Sequence, residues 1–259
     1  MPEAAARKPE RLLFVLGQSA TADETARRAV SLAAKLSVEL CALFIEDEAV
    51  LQVSSLPRST RVVWGKMLSE PVARESVEQE WRALSGAARA SVEREAKAQH
   101  VRCEFRIARG VRAAELLRAL SPTDLLLFAS DRRMQELRAA RSSVPSAARV
   151  YVIHEGTEAG ERALVVARAI AGMGVPIEVW LCSAGDESGR ALEARVRAML
   201  GGSASIKRFT PQGLDSEPRA LLAAATGGVL VLPADWELGR RIAERAQMPP
   251  LPCWVVLTR

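Results

Sequence analysis

The sequence predicts an α/β fold built as two similar halves, each a mainly parallel sheet between helices. Three observations carry this. Short apolar runs of strand length alternate with longer segments whose apolar residues recur at helical spacing. That alternation runs through the chain twice, dividing near residue 148. Aromatic residues make up 4% of the 259 while hydrophobic residues make up 49%, so the core must be aliphatic and alanine-rich. Such a core suits helices laid on parallel strands better than a β-sandwich.

Taken in order, Leu12 to Leu16 is wholly apolar, as a strand buried on both faces should be. In "SATADETARRAVSLAAKL", Thr21 and Glu24 form a capping box, and Ala26, Ala29, Val30, Ala33 and Leu36 share one helical face. "VELCALFIE" is the second strand. "SVEQEWRALSGAARASVEREAKAQ" is an amphipathic helix for which Ser76 and Gln79 supply the cap, with Val77, Trp81, Leu84, Ala88 and Val92 on its apolar face. "VRCEFRIARG", "VRAAELLRAL" and "TDLLLFAS" read strand, helix, strand. The second round runs from the strand "RVYVIHEG" to the strand "CWVVLT", with helices at "EAGERALVVARAIAG", "SGRALEARVRAMLGG" and "SEPRALLAAAT". The expected domains are therefore 1–148 and 149–259. The first carries a long connection over about 47–76 and no fifth strand of its own, because "ARVYVIHEG" is needed to open the second.

A net charge of +5, with acids and bases alternating along the helical segments, describes solvated helix faces. No basic cluster is interleaved with aromatics, which argues against nucleic-acid binding. Cys41, Cys103, Cys182 and Cys253 form no CxxC pair and have no histidine beside them, as expected of buried, reduced thiols. The opening "MPEAAARKPERLLFVLG" has too short an apolar run for a signal peptide, and no run approaches the roughly 20 residues that span a bilayer. A cytoplasmic protein without membrane insertion is expected.

Several stretches together resemble universal stress protein domains. "VLGQSATADETARRAVSLAAKLSVELCALFIED" and "VIHEGTEAGERALVVARAIAGMGVPIEVWLCSA" are similar to the way such domains open. "RGVRAAELLRALSPTDLLLFAS" resembles their third helix and fourth strand, and "AERAQMPPLPCWVVL" their close. The resemblance covers both halves and implies a tandem, degenerate form with two Rossmann-like domains of the adenine nucleotide alpha hydrolase-like kind. Members that bind ATP carry G-x2-G-x9-G-S/T after the fourth strand, where glycine amides cradle the phosphates. Laid on this sequence, the motif places Ala129, Arg132 and Ser142 at the glycine positions and Ser143 at the hydroxyl. In the second half Pro233 takes the first glycine position, and the loop after it is too short for the rest. The acid after the first strand is Gly17 in one half and Glu155 in the other. The resemblance thus implies a phosphate loop that has been lost, and no cofactor.

Other candidates are weighed on their chemistry. Arg132, Arg133, Arg138 and Arg141 could hold an anion through guanidinium groups, but they read better as a solvated flank with Asp131 and Glu136 as partners. His154 beside Glu155 lies at a strand's carboxyl end, where open α/β sheets bind ligands, yet it lacks a nucleophile and a third group. With His100 and His154 as the sole histidines, no metal-ligand spacing exists. Val62, Val63 and Trp64, between Arg61 and Lys66, could form a patch for a partner protein or for a second copy of the chain, or could close over the sheet edge left open by the missing fifth strand. The expectation is a non-catalytic stress-response or regulatory protein acting through protein contacts, with ATP binding lost. The alternative is a nucleotide- or anion-binding sensor using the switch-point clefts.

Overall fold

In a computed structural model of the chain, strands from both halves join into one sheet. The structure describes residues 9–16, 22–46, 48–63, 68–110, 121, 123–128, 149–172, 174–183, 185–201, 204–210, 225, 227–235 and 253–258, with 61–63 and 68–70 described by backbone alone. In chain order the strands are β1 (Arg11–Leu16), β2 (Glu39–Glu46), β3 (Thr60–Val63), β4 (Leu68–Pro71), β5 (Cys103–Arg109), β6 (Asp124–Phe128), β7 (Val150–His154), β8 (Ile177–Cys182), β9 (Ser205–Phe209), β10 (Val229–Pro233) and β11 (Trp254–Thr258). The described helices are α1 (Ala22–Leu36), α2 (Glu48–Ser54), α3 (Arg74–Ala98), α4 (Glu158–Ala171) and α5 (Asp186–Leu200).

Nine strands stand in the order β5-β2-β1-β6-β11-β10-β7-β8-β9. Every neighbouring pair is parallel except β6 with β11, which is antiparallel and pairs Leu127 with Val256. Residues up to 128 supply four of these strands, and β11 from the far end of the chain closes the edge of β6. The two halves consequently run in opposite directions, and their carboxyl-end crevices open at opposite ends of the sheet.

The central strands β6, β7 and β11 are mainly apolar, as burial on both faces demands. Alternate residues feed two clusters. Leu125, Leu127, Val150, Val152, Trp254 and Val256 pack on one face with α1, α3, α4 and α5. Leu126, Phe128, Tyr151, Ile153, Trp180, Val255 and Leu257 belong to the other. Across the seam α1 packs on α4, and Phe14 of β1 stacks with Trp254 of β11 at 6.2 Å between centroids.

Ion pairs fix the strand starts. Arg11 donates twice to the buried Asp124 carboxylate, at 3.0 and 2.6 Å. Buried Glu178 accepts from Arg149 and Trp180 at 2.8 and 2.7 Å and pairs with Lys207 at 2.8 Å. Burial pushes the Glu178 carboxyl up, but the bonds from Lys207, Trp180 and Arg149 outweigh it and hold it below the ordinary range.

One expectation is corrected. The long helix begins at Arg74 with Ala73 as its cap residue, so Ser76 and Gln79 lie inside its first turns and Ala73 makes no side-chain cap bond. The connection over 47–76 contains regular structure: α2 is followed by the antiparallel pair β3–β4, held at its base by Val72 N–H donating to Ser59 O at 3.0 Å. None of the four cysteines is in a disulfide, and three are buried, while Cys103 lies half-buried on the outermost strand. Burial, reinforced by Cys41, pushes its thiol up to about 11, which leaves little of the reactive thiolate.

Candidate functional site

The crevice described most fully is that of the second half, between the carboxyl ends of β7 and β10, where the strand order reverses. β7 ends at His154, and the chain turns through Glu155 and Gly156, whose φ of 85° is a left-handed value that suits glycine. Thr157 then caps α4 from an extended conformation, and its Oγ1 accepts from Gly160 N–H at 3.1 Å. Glu161 N–H donates to Thr157 O at 3.0 Å. Glu155, half-buried, accepts from the Thr157 hydroxyl at 3.4 Å.

His154 turns inward. It is 1% exposed, and its ring lies so close to α4 that a Cβ at Gly160 would collide with Nδ1. Nδ1 has no hydrogen-bond partner among the described residues. Burial, with a smaller contribution from nearby Arg195, lowers the imidazole to about 4. A buried ring held neutral at pH 7 beneath a helix packs as a core residue. A similar contact holds the next helix, where a Cβ at Gly189 of α5 would come within 2.7 Å of Ser183 Oγ.

On the β10 side, Pro233 is buried and pairs with Thr258. It has no N–H to offer, and the next amide, of Ala234, donates to Thr258 O at 2.7 Å. Asp235 follows, exposed. Three amides at the walls of this crevice, of Gly160, Glu161 and Ala234, are therefore held in internal bonds. Among the described residues, no group of three or more metal-ligating side chains comes together, and no helix is long and apolar enough to cross a membrane.

Of the residues singled out from the sequence, Glu155 and Pro233 are brought to this one crevice. Ala129, Arg132, Arg133, Arg138, Arg141, Ser142, Ser143 and Trp64 lie outside the described residues. Val62 and Val63 stand in β3, opposite Ser69 and Leu68. His100 lies at the end of α3, exposed and with a φ of 55°, away from His154 in the other half. Sequence reasoning missed Gly160 and Gly189. The signal was present, since glycine inside a helix costs about 1 kcal/mol against alanine and asks for a packing reason. Thr157, one residue ahead of the apolar periodicity, was also legible as a cap.

No protein-family profile matches the chain, and no curated protein sequence does. Solved structures with a similar course exist. A universal stress protein from Archaeoglobus fulgidus is 10% identical, with a TM-score of 0.46, over 95% of this chain and 96% of that one. A protein from Pseudomonas aeruginosa described as a candidate universal stress protein is 12% identical, with a TM-score of 0.47, over 96% and 93%. A cyclodipeptide synthase from Streptomyces noursei is 14% identical, with a TM-score of 0.28, over 97% and 96%. All of these scores are low, and the α/β fold described above stands on the chain's own strand order and register.

Proposed function

We propose that the chain is a non-catalytic regulatory protein of the universal stress type, working in the cytoplasm through protein contacts and without ATP. One observation supports this above others. At the second-half crevice three amides are already engaged, Gly160 N–H by Thr157 Oγ1, Glu161 N–H by Thr157 O and Ala234 N–H by Thr258 O, and Pro233 has none. A phosphate reaching any of these three would have to displace an internal bond before gaining one of its own. In the first half, the residues standing where glycines are needed, Ala129, Arg132 and Ser142, carry side chains.

Titration calorimetry of the full chain with Mg-ATP tests this. The expected result is no binding tighter than about 1 mM, or roughly −4 kcal/mol. Low-micromolar affinity would refute the reading and favour an anion sensor built on side chains.

A further inference from the structure

β5 forms one end of the nine-stranded sheet, and no described residue pairs with its outer edge. Its register against β2, with Leu40 N–H donating to Arg102 O and Gly110 N–H to Glu46 O, fixes which backbone groups are engaged. Even-numbered residues bond inward to β2. Cys103, Phe105, Ile107 and Arg109 therefore turn their N–H and C=O groups outward. On the strand's solvent-facing side Arg106 is bidentate to Glu104, at 2.7 and 2.8 Å. On the other side Ile107 is 51% exposed, and Phe105 lies beneath the Arg89 guanidinium at 5.2 Å.

We propose that this edge pairs antiparallel with β5 of a second copy of the chain, the twofold axis passing through Phe105. Charge and strand overlap together select that register: centring on Cys103 also opposes Glu104 to Arg102, but Arg102 precedes the strand and is paired with Glu39, and that register overlaps only the start of β5. In an antiparallel ladder, residues with outward backbone groups form the hydrogen-bonded pairs, and those between them form the close, non-hydrogen-bonded pairs. Centring on Phe105 sets Cys103 opposite Ile107 and, at the close positions, Glu104 opposite Arg106 twice over. Centring on Glu104 opposes two carboxylates, and centring on Arg106 opposes two guanidinium groups. Centring on Ile107 leaves both charges without a partner in the other copy. The favoured register is self-complementary, so the assembly closes as a dimer.

The opposite end of the sheet offers a contrast. β9 carries Lys207 and Arg208 and no acid, and both cations are paired within the chain, with Glu178 and Glu193. Overlapping that strand with its own copy would crowd cations, as an edge guarded against pairing should.

Sedimentation equilibrium of the full chain over a concentration series reads the result directly. Wild type is expected to show a closed monomer–dimer equilibrium. Glu104→Arg and Arg106→Glu should each weaken the dimer at least about tenfold, because like charges then face each other at the close pairs. The double exchange should restore it. Ile107→Pro removes an N–H that points away from β2, so thermal melting should hold while association is lost. A wild type that stays monomeric, an open-ended series of oligomers, a dimer indifferent to Ile107→Pro, or a double exchange that fails to restore association would each overturn the proposal. None of these assays involves nucleotide, so they succeed or fail independently of the ATP test.

Discussion

His154 shows how burial decides the chemistry of a single residue. Its imidazole is lowered to about 4, from an ordinary value near 6.5, chiefly by burial. The unfolded chain takes up its proton as pH falls through about 6.5, while the folded chain resists until about 4. The neutral ring's contribution is thus complete above about pH 6.5 and is progressively lost between 6.5 and 4. The shift corresponds to about 3 kcal/mol. Urea unfolding at pH 7, 5.5 and 4.5 should show stability falling across this window. His154→Leu should flatten the loss there, leaving the acid-side decline below about 4.5 to carboxylates such as Glu178, whose folded value is depressed. An unchanged slope in the variant would place the titration elsewhere.

Helices α4 and α5 enter the fold alike, each with a glycine in its first turns pressed against the strand end that precedes it. Their tolerance to substitution should differ. At Gly160 an added Cβ meets a ring that is buried and cannot swing out, so overpacking of about 1–3 kcal/mol outweighs the gain of about 1 kcal/mol in helix propensity. At Gly189 the obstacle is the Ser183 hydroxyl, on a half-buried side chain free to take another rotamer. Thermal melts should show Gly160→Ala lowering Tm and Gly189→Ala leaving it unchanged or raised. Equal losses at the two sites would contradict this account. Both helices were legible in the sequence from their periodicity. Their glycines were missed because the partners, His154 and Ser183, come close through the tertiary turn and not through any helical spacing.

For the whole molecule the decisive feature is the pairing of β6 with β11. Leu125 to Phe128, all at most 5% exposed, pair with Val255 to Thr258 from the opposite end of the chain. Residues 1–148 produced alone would leave that apolar edge open, an invitation to intermolecular pairing. The fragment should aggregate or self-associate in sedimentation, and co-expression with 149–259 should return a soluble complex. A soluble, monomeric, cooperatively melting fragment would show that the seam is dispensable.

What the sequence determined by itself is local in origin. Apolar runs of strand length, helical periodicity and their repetition specify the α/β class and the strands of the main sheet, though not the elements inside the 47–76 connection. The proline at 233 declares from its chemistry alone that it offers a phosphate no amide. The tertiary structure decided everything that depends on which buried surfaces meet. A run such as "DLLLF" announces burial on both faces but does not name its neighbours, so the union of the halves into one sheet could not be read from it. The same holds for His154, which the sequence places at a ligand-binding edge and which the packing of α4 turns into core. It holds also for β5, whose alternating charges are an ordinary polar face until the sheet order leaves that strand at the end. Periodicity is a property of neighbours along the chain, whereas register and burial are set by contacts between residues far apart in it.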